Sequence, residues 1–167
     1  LRLYDYYKQH SQSELGKQSF LDSLTLFFKE NFLVDATDKA SEFLKAYPKY
    51  EKSLELKKEI LKSYVEMGKL DPAAELLIEL SQLDSKNKNT HLEAAADFYA
   101  LETKNAQARK IYHQLLLDYP KDKRAAIFIK IKNTLKLPAD KTEVEKIEKI
   151  ILEQNIEPFV TDILTQK

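Results

Sequence analysis

Residues 89–122, NTHLEAAADFYALETKNAQARKIYHQLLLDYPKD, constrain the fold more than any other stretch of the chain. Leu92, Ala95, Ala96 and Tyr99 recur at three-to-four spacing, and Ala108, Ile111, Tyr112 and Leu115 repeat that pattern further on. This is the signature of two amphipathic helices, since a half-buried strand would alternate every second residue. Only Thr103-Lys104-Asn105 separates the two runs, and Pro120 ends the second. A break that short has room for one tight turn, so the unit is predicted to be an antiparallel helical hairpin.

The rest of the chain is compatible with more of the same. Two glycines and five prolines in 167 residues leave few places for loops, which favours long helices joined by short turns over a sheet. Hydrophobic residues make up 43%, enough for a core and too many for a disordered chain. The 27 basic and 27 acidic residues cancel, whereas nucleic-acid binders carry a basic excess, so a nucleic-acid partner is not expected. No apolar run approaches the roughly 18 residues that cross a bilayer, so no membrane span is expected. The absence of cysteine excludes disulfides, thiol catalysis and cysteine-ligated metal. The chain begins at Leu1 without a methionine or a signal-like segment, and is read as a fragment of a longer protein.

Taken in order, Leu3, Tyr4 and Tyr7 mark a first helix. Ser13 is placed as the N-cap of a second, whose stripe is Phe20, Leu24, Phe27 and Phe28. Ala36, Ala40, Phe43, Leu44 and Tyr47 face inward on a third, closed by Pro48. Leu54, Leu56, Ile60, Leu61 and Tyr64 form a fourth, with Gly68 at a left-handed C-cap. Asp71 is expected to cap a fifth helix whose buried face is Ala73, Ala74, Leu76, Leu77, Leu80 and Leu83. Beyond the hairpin, the run from Arg124 to Leu135 is apolar over a wide arc, which predicts cover from more than one side. Thr142 to Glu145 reads as a capping box opening a helix with Val144, Ile147, Ile150 and Ile151 on one side, and Pro158 opens a short terminal helix.

These elements repeat. Ala36, Ala73 and Ala108 are 37 and 35 residues apart, and Phe27, Tyr64 and Tyr99 follow the same steps. The pattern resembles the tetratricopeptide repeat, of period 34, and Ala96, Tyr99, Ala108, Tyr112 and Pro120 match its marks within 89–122. Units at about 17–50 and 54–87 match with larger residues, Leu24 and Leu61, at the small positions. A degenerate unit covers 123–157, where Lys130 and Asn133 fall at normally apolar positions, and 158–166 would cap the end. The resemblance implies an all-α, right-handed α-solenoid of three to four antiparallel hairpins forming a single domain over 1–167. Ala108-Arg109-Lys110-Ile111-Tyr112, with Glu102, also resembles the half-a-tetratricopeptide repeats of RNA-processing scaffolds, though their first-helix tryptophan is lacking.

No residue pattern asks for catalysis, a cofactor or a bound metal. His10, His91 and His113 are dispersed and are expected at the surface or rim. With glycine only at 16 and 68, neither a P-loop nor a dinucleotide fingerprint can be written, and G-x-S-x-G does not occur. In the resembled family the first helices line a concave face that takes a peptide or a partner helix. By register that face includes Lys58, Glu59, Lys62 and Glu66, then Glu93, Asp97 and Leu101, which are the candidate partner-binding residues. The family's clamp for chaperone tails is not reproduced, because Lys62, Ala94 and Phe128 replace two asparagines and an arginine.

The resemblance therefore implies a non-catalytic scaffold or adaptor for a protein partner, with self-assembly or a spacer role as one alternative. The other is an RNA-processing scaffold using the basic run Lys121, Lys123, Arg124, Lys130, Lys132 and Lys136. That run is otherwise read as a solvated face balanced by Glu143, Glu145 and Glu148. The Tyr-Pro endings at 47–48 and 119–120 resemble those of bacterial envelope assembly factors, which leans towards the periplasm, with the cytoplasm as alternative.

Overall fold

The computed structural model describes residues 2–135 and 141–154. Among them are nine α-helices and no strand. In order they are α1 (Arg2–His10), α2 (Glu14–Lys29), α3 (Leu33–Ala46), α4 (Ser53–Glu66), α5 (Leu70–Leu83), α6 (Lys88–Leu101), α7 (Asn105–Asp118), α8 (Lys121–Asn133) and α9 (Lys141–Gln154). A single 3-10 turn, Ser85–Asn87, leads into α6. The chain forms two compact units, Leu1–Pro72 and Ala73–Lys167.

In the first unit α1 packs on α2, α2 on α3 and α3 on α4. Ser13 caps α2 as expected: its Oγ accepts from the Gly16 amide at 3.0 Å and donates to the His10 carbonyl at 2.8 Å. Gly16 is obligatory there, since a Cβ would lie 2.0 Å from the His10 carbonyl oxygen. The core is aromatic. Phe20 stacks on Phe43 at 4.8 Å, Tyr7 lies 4.5 Å from Phe20, and Tyr47 and Tyr50 flank Phe43. Ala36 and Ala40, both fully buried, let α3 close on this cluster.

In the second unit α6 packs on α7 and α7 on α8. The four apolar residues of α6 that anchor the sequence pattern, Leu92, Ala95, Ala96 and Tyr99, are all buried, as are Ala108, Tyr112, Leu115 and Leu116 of α7. Two arginines hold the ends of α7 and α8. Arg109 on α7 donates to the Thr134 carbonyl at 2.7 Å, and Arg124 on α8 to the Tyr119 carbonyl at 2.8 Å. Each satisfies a carbonyl at a helix C-terminus that lacks an intrahelical donor.

One turn recurs three times. At the ends of α2, α4 and α6 the residue beyond the C-cap is left-handed: Asn31 (φ 60°), Gly68 (φ 67°) and Thr103 (φ 59°). In each, the following amide bonds back to an aromatic residue's carbonyl, Phe32 to Phe27, Lys69 to Tyr64 and Lys104 to Tyr99, at 2.8–2.9 Å. The left-handed residue's own amide bonds to the next residue's carbonyl, that of Phe28, Val65 and Ala100. This is the Schellman closure, and its steps of 37 and 35 residues equal those of the alanines and aromatics.

Several expectations are corrected. Helix α5 starts at Leu70, so Asp71 sits inside its first turn rather than capping it, because the Schellman turn delivers the chain already helical. Leu83 is 55% exposed, lying in the last turn of α5 rather than on its buried face. Helix α8 buries one stripe, Ile127, Phe128 and Ile131, and leaves Ile129 46% exposed, so its broad apolar arc is not covered all round. Helix α9 already includes Lys141, which puts Thr142 within the helix. His10 is exposed and His91 and His113 are half-buried, which is compatible with the surface or rim positions expected of them. The terminal helix read from Pro158 lies outside the described residues.

Candidate functional site

Glu93, Asp97 and Leu101 are four residues apart, which lines them up along one ridge of α6. Helices α7 and α8 pack beside that ridge and bring three polar side chains to it. Lys130 of α8 donates to Glu93 Oε1 at 2.7 Å and to both oxygens of Asp97 at 2.7 and 2.8 Å. Tyr112 of α7 donates its hydroxyl to Asp97 Oδ1 at 2.6 Å, and Tyr119, just past α7, donates to Glu93 Oε2 at 2.7 Å. The Lys130 ammonium also lies 5.9 Å from the centre of the Tyr112 ring.

The charges are uneven, one ammonium between two carboxylates. Partial burial would raise the Glu93 carboxyl, but the bonds from Lys130 and Tyr119 prevail and hold it below its ordinary range. Lys130 shows the same contest, with desolvation opposed and overcome by Asp97 and Glu93, so its ammonium is held above the usual lysine value. Burial and the bond to Glu93 push the Tyr119 phenol up to about 12, and burial with the bond to Asp97 raises that of Tyr112 further. Glu93, Lys130, Tyr112 and Tyr119 are thus each shifted towards their neutral-pH charge states. Leu101, one turn beyond Asp97, is 69% exposed.

The remaining candidates are on α4, in the first unit. Lys58, Glu59, Lys62 and Glu66 are exposed, and Lys62 lies 3.8 Å from Glu66. Within each unit the candidates share one helix. The structure adds intramolecular partners for Glu93 and Asp97 that the sequence reading did not include.

Lys130 is the residue that reading misplaced. The sequence pattern puts it in a basic surface run balanced by acidic residues of the next helix, whereas its carboxylates are on α6, 33 and 37 residues earlier. A lysine inside Ile127-Phe128-Ile129-Lys130-Ile131 was the available signal. Two more residues of that run are also engaged: Arg124 holds the Tyr119 and Leu117 carbonyls, and Lys123 lies 5.5 Å from the Tyr119 ring centre. Among the described residues no group of three histidines or carboxylates is placed to hold a metal ion, and His91 faces Asp84 at 3.5 Å. The chain matches no protein-family model, no curated protein and no solved structure.

Proposed function

We propose that the chain is a non-catalytic, tetratricopeptide-like scaffold that holds a protein partner on exposed first-helix ridges, α6 in the second unit and α4 in the first each engaging it by itself. The observation that carries this reading is the α6 ridge. Two carboxylates are held in position by Lys130, Tyr112 and Tyr119, and a largely exposed leucine, Leu101, stands one turn away. Little side-chain ordering remains to be done when a partner arrives, so less of the interaction free energy is lost to entropy. The surplus negative charge and the adjacent leucine fit a segment that carries a lysine or arginine about one helical turn from an apolar residue. On α4, Lys62 and Glu66 offer both signs of charge.

Photo-crosslinking tests this in the native extract. A photoreactive residue in place of Leu101 should give a discrete protein adduct, and the same residue at exposed Gln107 of α7 should not. The double variant Lys62→Glu with Leu101→Glu should bind the captured partner at least tenfold more weakly with its helicity unchanged, because both side chains are about 70% exposed. Equal labelling from both positions, or unchanged affinity, would remove the proposal.

A further inference from the structure

Each unit contains an open cleft at its Tyr-Pro corner, and the two are built from corresponding residues. In the first unit the cleft, about 670 Å³, lies between the start of α2 and the Tyr47-Pro48 corner. In the second, about 580 Å³, it lies between the start of α6 and the Tyr119-Pro120 corner. A shift of 72 residues carries Glu14, Lys17, Gln18, Tyr47 and Pro48 onto Lys86, Asn89, Thr90, Tyr119 and Pro120. The first cleft is therefore an internal reference for the second.

Their charges differ where their positions match. In the first, Glu14 holds Lys17 at 2.7 Å, and Glu51 adds a second acid among the lysines. In the second, Lys86 stands in place of Glu14. Lys86, Lys88 and Lys123 face a single acid, Asp118, which Lys88 approaches at 3.6 Å. The lining excess is two positive charges (three lysines against one aspartate), and Ser85, Asn89 and Thr90 add polar donors.

We propose that the second cleft is a docking site for a carboxylate-rich segment of a partner protein. The lining contains lysine and no arginine, so it offers mobile point charges that can pair with several carboxylates in turn rather than a planar fork that grips one. Its aromatic residue, Tyr119, is half-buried, with its hydroxyl on Glu93 and Lys123 over its ring, so it offers no free face to a nucleic-acid base. The site shares Tyr119 with the α6 cluster, but its lysines are distinct from the ridge and it does not depend on that reading.

The test is a titration of the isotope-labelled chain with an acetylated hexaglutamate peptide, followed by amide chemical shifts. Saturable shifts are expected at Ser85, Lys86, Thr90 and Lys123 and none at Glu14, Gln18 or Glu51, with affinity falling several-fold between 50 and 200 mM salt. Lys86→Glu together with Lys123→Glu should weaken binding at least tenfold, and Lys86→Gln should weaken it less. Equal shifts in both clefts, or charge-reversed protein that binds as well as the parent, would overturn the proposal. So would a six-nucleotide oligothymidylate that binds the cleft as tightly as the peptide.

Discussion

Lys130 shows how one side chain can be worth more for what it restrains than for its own bonds. Its ammonium lies between Glu93 and Asp97, and without it two carboxylates on adjacent turns of α6 would repel each other while partly buried. Lys130→Met is expected to destabilise the second unit by about 1–2 kcal/mol, the range for a charged hydrogen-bonded group screened by partial exposure. Adding Asp97→Asn should recover part of the loss, and urea unfolding of the four-member cycle measures it. Strict additivity would show that the three groups do not act together. The same cluster sets a pH dependence on both sides. Glu93 is held below its ordinary 4.5, so its contribution is present above that value and is lost as pH falls from there through its lowered folded value. Tyr119 is raised from 10.0 to about 12, so its contribution is complete below pH 10 and is lost as pH climbs through that window. Tyr119→Phe should flatten part of the alkaline decline in urea midpoint and move the acid edge upward, since Glu93 loses a donor. An alkaline limb identical to the parent's would contradict the assignment.

At the scale of the element, the three Schellman turns are one device filled by three residues of unequal fitness. Gly68 accepts φ 67° without cost, Asn31 tolerates its φ of 60°, and Thr103 carries a β-branched side chain into the same region at φ 59°. Thr103→Gly should therefore stabilise the chain by about 1 kcal/mol, and Gly68→Ala should destabilise it by about the same amount. No atom lies within 4 Å of a Cβ built at Gly68, so the second effect is backbone strain alone. Thermal unfolding of the two variants checks both, and shifts of the same sign would refute the account. These turns also mark where the sequence could and could not be read. Gly68 and Ser13 were legible because each is a residue type whose chemistry suits one cap position and little else. Asn31 and Thr103 were not, since nothing about threonine announces a positive φ and only the repeat step of 37 and 35 residues points to it. The start of α5 was misread for a related reason, because Asp71-Pro72 looks like a cap and first turn when the preceding Schellman closure is unseen. The α6 candidates Glu93 and Asp97 followed from helical register, but their link to Lys130 joins residues that only tertiary packing brings together.

Across the whole molecule, two units of similar local design reach stability by different means, a cluster of stacked aromatic rings around Phe20 and Phe43 in the first and a mixed, mainly aliphatic core edged by the Lys130 cluster in the second. What they share is a charge balance of 27 against 27, which leaves no net repulsion between copies at neutral pH. The response to pH should be lopsided. Below neutrality imidazole and carboxylate side chains as classes take up protons, so positive charge accumulates on the way to pH 5. Above neutrality there is no cysteine to ionise, and lysine and tyrosine ordinarily hold their protons until about pH 10, so the side-chain charge stays near zero to pH 9. Exposed Leu15, Phe32, Leu101 and Leu117 supply short-range attraction throughout that range. The diffusion interaction parameter from light scattering at low salt should therefore be lowest from pH 7 to 9 and rise markedly by pH 5. Raising the salt should erase the rise at pH 5 and leave the neutral value almost unchanged, because screening acts only where there is net charge to screen. A minimum confined to pH 7, with repulsion recovering symmetrically by pH 9, would mean that copies attract through specific charge pairs rather than through the absence of repulsion.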